Sequence, residues 1–185
     1  MKHLKLIPFF ILLALAACRR DKDDSPRQDP DNEVVTTVQL RAVNVADTTD
    51  VVTAEWRDLT PNTGDPDLTK AYLVLRRNAV YDVSATILDE THVPIKDVGY
   101  QIWQRADYHL VCYARAAGLD LTIVRTDHDN HNPKMELGLL TKWTTGAASN
   151  GNLRISVRHQ AGVKNGTDCG LGSNDAEVNF SVRVE

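Results

Sequence analysis

The chain has few cysteines and no excess of basic residues, and each scarcity excludes a class of protein. Three cysteines in 185 residues are too few for a small domain held together by disulfides. Lys and Arg number 21 against 25 Asp and Glu, so the chain lacks the positive charge that binding to nucleic-acid phosphates requires. Hydrophobic residues nevertheless make up 42% of the chain, which is typical of a folded domain. The composition therefore predicts a folded protein with no nucleic-acid partner.

Long hydrophobic runs are also scarce, and the one at the N terminus is too short for a permanent membrane span. It covers residues 6–14, follows Lys2 and Lys5, and is typical of a signal peptide. The run ends in Leu15-Ala16-Ala17-Cys18, which resembles the bacterial lipobox. This resemblance implies that residues 1–17 are removed and that Cys18 carries the lipid anchor, since several acyl chains hold a protein on a membrane. The alternative is an ordinary secretory signal with a chance cysteine at the cleavage point.

Residues 18–32 show no hydrophobic periodicity and contain prolines and many charges, which predicts a flexible tether. Within them, the triplet Lys22-Asp23-Asp24 resembles the signal that exports lipoproteins of Bacteroidetes to the cell surface. A merely solvated linker is the alternative interpretation of these three residues. Together the two N-terminal features predict an outer-membrane, lipid-anchored protein that faces the cell surface.

From residue 33 to residue 185 the dominant hydrophobic period is two, which predicts a single domain of antiparallel strands with one buried and one exposed face. The alternating runs lie at residues 38–42, 52–56, 81–87, 121–125, 153–157 and 178–184. Less regular runs at residues 72–75, 110–114 and 137–143 predict further strands, buried on both faces. Residues 149–151 and 117–120 are turn-like, and residues 160–174 form a long loop with four glycines. We therefore predict an all-β, Ig-like or similar antiparallel β-sandwich of about nine strands.

One segment departs from the period of two. Ile95, Val98, Ile102 and Ala106 follow helical spacing, and Pro94 precedes them, where proline is tolerated at a helix start. Gly99 weakens the helical pattern, because glycine has a low helix propensity. The sequence thus predicts one short helix beside the sandwich.

Two histidines occupy strand positions that favour burial. His159 lies two residues beyond Val157, on the apolar face of its strand, and His109 opens a buried run. A histidine in such a place is more often a satisfied core residue than a ligand, although both remain possible metal or haem ligands. If the two lie at the same end of the sandwich they face one another, which the sequence does not determine.

A polar loop offers further ligand atoms at Asp127, Asp129 and His131. Alternating oxygens of this kind hold calcium, but no acidic residue closes the loop at the distance an EF-hand needs, and Glu136 is too near. A polar turn with Asx hydrogen bonds is the favoured interpretation. A short histidine-containing tract also suits a transition metal.

Cys112 and Cys169 are the remaining thiols, and an oxidising envelope would allow them to form a disulfide. Their sequence positions leave a buried free cysteine as the equal alternative. No nucleophile elbow, zinc-protease motif or phosphate-binding loop is present, so we expect a protein that is not an enzyme.

The chain resembles a family of small, largely uncharacterised outer-membrane lipoproteins of Bacteroidetes, some of them labelled type 1 periplasmic binding fold proteins. That label implies a fold that the β-rich pattern does not support. The similarity extends over nearly the whole mature chain, and the matching segments recur in order at similar spacing. They lie at residues 33–38, 53–58, the His109 strand, Asp127 and Asp129 with Asn132-Pro133, and residues 143–148, 153–159 and 174–184. The chain departs from the family at residues 59–64 and at residues 101–108. The family is usually strongly acidic in the second stretch, whereas this chain has Arg105 there, and both departures weaken the case for a shared cation site.

The resemblance implies a nutrient- or metal-uptake accessory that works with a TonB-dependent receptor. On this interpretation the protein binds a divalent metal or haem through His109, His159, Asp127, Asp129 and His131. The alternative is a structural or adhesive envelope module without a small-molecule ligand.

Overall fold

Ten β-strands and one α-helix account for most of the regular structure of the computed structural model, which describes residues 33–61 and 64–185. The strands are β1 (Thr37–Asn44), β2 (Val51–Arg57), β3 (Tyr72–Leu75), β4 (Val80–Asp89), β5 (Lys96–Asp97), β6 (His109–Arg115), β7 (Leu121–Arg125), β8 (Leu140–Thr145), β9 (Ser149–His159) and β10 (Ser173–Val184). The helix, α1 (Val98–Gln104), is followed by a 3₁₀ turn at Ala106–Tyr108. The predicted signal peptide and tether, with Cys18, lie outside the described residues.

The strands form two sheets. One has the order β2-β1-β4-β8-β7, with the short β5 also paired to β4, and all its pairs are antiparallel. The other has the order β3-β10-β9-β6, and only its edge pair, β3 with β10, is parallel. The predicted all-β sandwich is confirmed, with one parallel pair in an otherwise antiparallel arrangement.

A single hydrophobic core receives side chains from both sheets. In β10 the residues Val178, Phe180, Val182 and Val184 are buried while their neighbours are exposed, as the alternation predicts. Trp143 of β8 lies in the same core. Each such large apolar side chain stabilises the fold by about 1.5–3 kcal/mol when fully buried. Because these side chains recur at every second residue of a strand, they all lie on one face of the sheet, and that face turns toward the core.

The helix is shorter than its sequence pattern predicts. Asp97 caps its N terminus by accepting a 2.8 Å hydrogen bond from the backbone N–H of Tyr100. Ile95 lies before the helix and is 56% exposed, so its place in the helical pattern was wrong. Pro94 also lies outside α1, after a cis peptide bond from Val93. Gly99 is buried against β4, where a Cβ would lie 3.4 Å from the backbone nitrogen of Ile87, an ordinary van der Waals contact, so packing against the sheet does not by itself require glycine here.

Three strand predictions need correction. β3 and the strand at β8 alternate between buried and exposed residues instead of being buried on both faces, because each has an outward face exposed to solvent. Only the start of β6 is buried on both faces, as predicted. The residues predicted as a turn at 149–151 begin the long strand β9, where Gly151 pairs with Val182 of β10.

Among the described residues, no helix has both the length and the apolar character needed to cross a bilayer.

Candidate functional site

His109 and His159 lie directly opposite one another. His109 is the first residue of β6, His159 is the last residue of β9, and the two are partners in the antiparallel register. Their ring centroids are 4.9 Å apart with the rings edge to face. Because both strands belong to one sheet, the two histidines that the sequence placed on separate strands meet at one end of the sandwich.

The protonation of His109 follows from its contacts. Its ring is fully buried, and Nδ1 lies 3.0 Å from the backbone carbonyl oxygen of Arg105. Since a carbonyl only accepts, Nδ1 carries the proton and Nε2 presents its lone pair. Burial lowers the pKa of His109 to about 4, so the ring is neutral at neutral pH. Nε2 has no hydrogen-bond partner within the described part of the chain.

Asp175 completes a cluster with the two histidines. Its Oδ2 lies 4.0 Å from Nε2 of His109 and 4.0 Å from Nδ1 of His159. The side chain is fully buried, and neither carboxylate oxygen has a hydrogen-bond partner among the described residues. Burial raises the pKa of Asp175, while the nearby side chains of His159 and Arg105 act in the opposite direction. We call His109, His159 and Asp175 the His–Asp cluster.

A β-bulge explains why the sequence pattern missed Asp175. The alternation of β10 places residues 176, 178 and 180 on the inner face, so Asp175 would point outward. The register between β9 and β10 shifts between Asn174 and Ala176, which leaves Asp175 as the extra residue. Bulges redirect side chains in this way. No feature of the local sequence marks the shift.

Glu33 reaches the same place from the N-terminal side of β1. It is 3% exposed, and its Oε1 lies 4.0 Å from Nε2 of His109 and 3.7 Å from Nη1 of Arg105. Arg105 follows directly after α1. The sequence pattern did not single out Glu33, because Glu33 approaches His109 and Arg105 through long-range packing. It marked Arg105 only as a departure from a family pattern.

The His–Asp cluster has the chemistry of a metal site. One donor atom from each of its three residues lies within 4.8 Å of the other two. Imidazole nitrogens and a carboxylate oxygen are ligands of Zn²⁺ and other divalent transition metals. The bond from His109 Nδ1 to a backbone carbonyl is the outer-shell support that metal-binding histidines usually have. The cluster therefore brings together suitable ligands and the contacts that orient them.

The other three predicted ligands lie apart, in the loop between β7 and β8, where Asp127 has a structural role. Its two carboxylate oxygens accept hydrogen bonds from the backbone N–H groups of Gly138 and Leu139, at 2.7 and 2.9 Å. These bonds close the loop at the start of β8. The local Asx hydrogen bond that the sequence favoured over a calcium loop is made by Asp129, which accepts from the backbone N–H of His131 two residues on.

Asp129 is fully engaged in its own contacts. One oxygen accepts hydrogen bonds from Lys164 Nζ and His131 Nδ1, each at 2.8 Å, and the other accepts from the backbone N–H groups of His131 and Met135. Burial alone would raise the pKa of Asp129, but these hydrogen bonds together hold it well below its ordinary range. Asp107, Asp129 and His131 also lie close enough to hold an ion. In contrast to the His–Asp cluster, the buried carboxylate of this group already has an ammonium partner.

A disulfide joins Cys112 of β6 to Cys169. Cys169 belongs to the loop of residues 160–172, which connects His159 to the strand that carries Asp175. The same loop is folded by Gln160, whose side-chain amide donates to the carbonyl oxygens of Asp168 and Leu171. The covalent link therefore fixes the segment between two members of the His–Asp cluster onto the strand that carries the third.

Comparisons of the chain with protein-family models, with curated proteins and with solved structures find no match.

Proposed function

We propose that this protein binds a divalent transition-metal ion at the His–Asp cluster and is held on the outer membrane by a lipid on Cys18. The observation that carries the metal-binding proposal is the carboxylate of Asp175, which is buried with neither oxygen hydrogen-bonded among the described residues and faces the lone pair of His109 Nε2. The membrane location rests on the N-terminal sequence alone.

A purely structural role does not account for this carboxylate. Buried polar groups in folded proteins are nearly always hydrogen-bonded, and an uncompensated buried charge costs several kcal/mol. His109 gives Asp175 no compensating positive charge, because its pKa of about 4 leaves it neutral. The nearby side chains of His159 and Arg105 offset the buried charge only in part, because burial has the larger effect on the pKa of Asp175 and neither carboxylate oxygen is hydrogen-bonded among the described residues. A divalent cation between the three side chains would bind the carboxylate of Asp175 and one ring nitrogen from each of His109 and His159.

The geometry favours an ion over haem, the other ligand expected from the sequence. His109 is fully buried, the side chain of His159 is only 13% exposed, and the two rings are 4.9 Å apart. A porphyrin ring is much wider than this separation and would need to displace strand residues of the core. A single ion requires only small movements of the side chains.

The proposed biological role is that of a metal-binding accessory at the cell surface, with a TonB-dependent receptor as partner. This role follows from the family resemblance and from the acylation motif. It is a binding function, without a catalytic step.

A structural or adhesive module is the alternative function, and one surface favours it. β3 is an edge strand, and its outward side chains Tyr72 and Val74 are exposed. Edge strands with apolar side chains are sites where another chain can pair. An adhesive module would bind its partner equally well after the His–Asp cluster is destroyed.

The test is a metal titration of the full chain, extracted in detergent, depleted with a chelator and then dialysed. We expect one Zn²⁺ or Co²⁺ per chain in competition with a chromophoric chelator. His159→Ala and Asp175→Asn should each weaken binding by about 100-fold or more, since even outer-shell changes cost 10–100-fold.

The matched control is His92→Ala. His92 lies 2.8 Å from a carboxylate oxygen of Asp89, yet its side chain is 59% exposed and it lies outside the His–Asp cluster. The His92→Ala variant should bind the metal ion with the same affinity as the unmodified protein. Failure of the unmodified chain to bind a stoichiometric ion, or equal binding by Asp175→Asn, would contradict the proposal.

A further inference from the structure

We infer that the ion is Zn²⁺ and that Glu33 is its fourth protein ligand, which closes the site to water; this inference rests on the metal site proposed above. It extends the site from one sheet to a segment of the chain that precedes β1. It also assigns a ligand that lies at the N-terminal limit of the described residues.

The first argument is distance. Glu33 Oε1 and Asp175 Oδ2 both lie 4.0 Å from Nε2 of His109. In a tetrahedral zinc site with bonds of about 2.0–2.1 Å, ligand atoms are about 3.3–3.4 Å apart. Each of these two carboxylate oxygens therefore needs to approach Nε2 of His109 by only about 0.6 Å for Zn²⁺ to bind both. Glu33 lies outside the set of donor atoms that are all within 4.8 Å of one another, so its side chain has to move further than the other three to complete the site.

The second argument is charge. Zn²⁺ with two neutral imidazoles and Asp175 alone would leave one net positive charge in a buried place beside Arg105. The carboxylate of Glu33, itself 3% exposed, reduces the formal charge of the inner shell to zero. A neutral inner shell avoids the large cost of burying an unbalanced charge.

The third argument is support around the ligands. Nη1 of Arg105 lies 3.7 Å from Oε1 of Glu33, and the backbone carbonyl of the same arginine accepts a hydrogen bond from the N–H at Nδ1 of His109. Arg105 thus orients one carboxylate and one imidazole at once, as outer-shell partners of zinc ligands do. Two nitrogen and two oxygen ligands in this arrangement suit Zn²⁺, whereas Ca²⁺ and Mg²⁺ prefer oxygen ligands throughout.

A fourth protein ligand has a functional consequence. Zinc sites that catalyse hydrolysis keep one position for water, and sites with four protein ligands do not. The inferred site retains an ion but does not activate a water molecule. It also attaches the segment before β1 to β6, β9 and β10, so that loading with metal stabilises the domain at the end from which the predicted tether leaves.

The experiment compares the full chain with Glu33→Ala and Glu33→Gln. We expect both variants to bind Zn²⁺ at least about tenfold more weakly in chelator competition. Glu90→Gln is the control, because Glu90 is also a largely buried carboxylate paired with an arginine, Arg57, but lies away from the His–Asp cluster. Circular dichroism before and after metal addition checks that each variant is folded.

A second measurement separates a ligand from a merely structural residue. With Co²⁺ in place of Zn²⁺, azide should leave the visible spectrum of the unmodified protein unchanged, because no coordination position is open. It should shift the spectrum of Glu33→Ala, where the lost ligand leaves a position for the anion.

The outcomes distinguish this inference from the proposed function. If Glu33→Ala binds Zn²⁺ like the unmodified chain while Asp175→Asn does not, the fourth ligand is wrong and the metal site stands. An azide response in the unmodified protein would also overturn the closed site. If the unmodified chain binds no zinc, both proposals fail.

Discussion

At the scale of single residues, Asp175 differs from the buried hydrophobic residues because its burial reduces the stability of the folded protein. A carboxylate without hydrogen-bond partners in the described residues loses the hydration it had in the unfolded chain and gains little in return. Burial raises the pKa of Asp175, which expresses the same cost. Residues that reduce stability in this way are characteristic of functional sites.

Asp175→Asn should therefore make the metal-free protein more stable, by about 1 kcal/mol or more, because it removes a buried charge and retains the shape of the side chain. It should also abolish the increase in stability that we expect Zn²⁺ to give the unmodified chain. Urea denaturation with and without zinc measures both effects. A loss of stability in the metal-free variant would mean that the carboxylate has a structural role.

Asp129 presents the opposite case, a buried carboxylate whose contacts are complete. Asp129→Asn should destabilise the protein by about 3–5 kcal/mol, since it leaves the buried ammonium of Lys164 without its anion. Asp107→Asn is the matched control, because Asp107 lies 3.6 Å from the same histidine, His131, but is 42% exposed. We expect Asp107→Asn to lower the free energy of unfolding by less than about 1 kcal/mol.

The pH dependence of stability checks the same residue. The folded-state pKa of Asp129 is lowered from its ordinary 3.8, so its contribution is present above that value and is lost as the pH falls below it. Urea denaturation between neutral pH and pH 3 should show a smaller acid-induced loss in Asp129→Asn than in the unmodified chain. If the free energy of unfolding fell equally with pH in the two proteins, the stabilising role assigned to the Asp129 carboxylate would be contradicted.

At the scale of elements, the alternation of hydrophobic residues determined the strands well but not the site. Residues 178–184 follow the period of two throughout, because their inner face packs against the core of the sandwich. The bulge just before them depends on the pairing of β10 with β9, which no local pattern expresses. The helix was predicted at the right place with the wrong start, because the cap at Asp97 and not Pro94 determines its first turn.

The pairing of His109 with His159 could not be predicted from a local pattern either. Each residue was recognisable on its own strand, but their meeting required the register of β6 with β9. Glu33 reaches Arg105 and His109 through contacts over more than 70 residues of sequence, and periodicity contains no information about such contacts.

The loop of residues 160–172 leads to a prediction about the disulfide that holds it. Cys112 and Cys169 are 57 residues apart, so replacing both with serine should lower stability by about 2–4 kcal/mol. The double variant should also bind Zn²⁺ more weakly, because the loop that joins His159 to Asp175 gains freedom. Denaturation and chelator competition measure the two effects, and the unmodified protein reduced with dithiothreitol serves as the comparison. Unchanged stability and zinc affinity would contradict the role assigned to the loop.

At the scale of the whole molecule, the composition and the period of two were sufficient for the fold class. They predicted two layers of mainly antiparallel strands because each strand showed one apolar face. The order of strands within the sheets, including the parallel pairing of β3 with β10, arises from long-range packing and was not accessible from the pattern.

The membrane anchor proposed at Cys18 lies outside the described residues, and it leads to a prediction for the whole chain. Cys18→Ala should leave a protein that lacks acyl chains and separates into the soluble fraction, because on this proposal thioether-linked lipids on Cys18 hold the protein on the membrane. Cell fractionation followed by mass spectrometry of the N terminus measures this, with Ser25→Ala in the predicted tether as a control that stays on the membrane. Retention of the Cys18→Ala protein in the membrane without acylation would contradict the anchor.

The most direct test of the central claim is anomalous diffraction at the zinc edge from crystals of the zinc-loaded protein. We expect one strong peak per chain, about 2.0–2.1 Å from Nε2 of His109 and from the donor atoms of His159 and Asp175. A peak only at the group of Asp107, Asp129 and His131, or no peak within the sandwich, would contradict the assignment of the His–Asp cluster as the metal site.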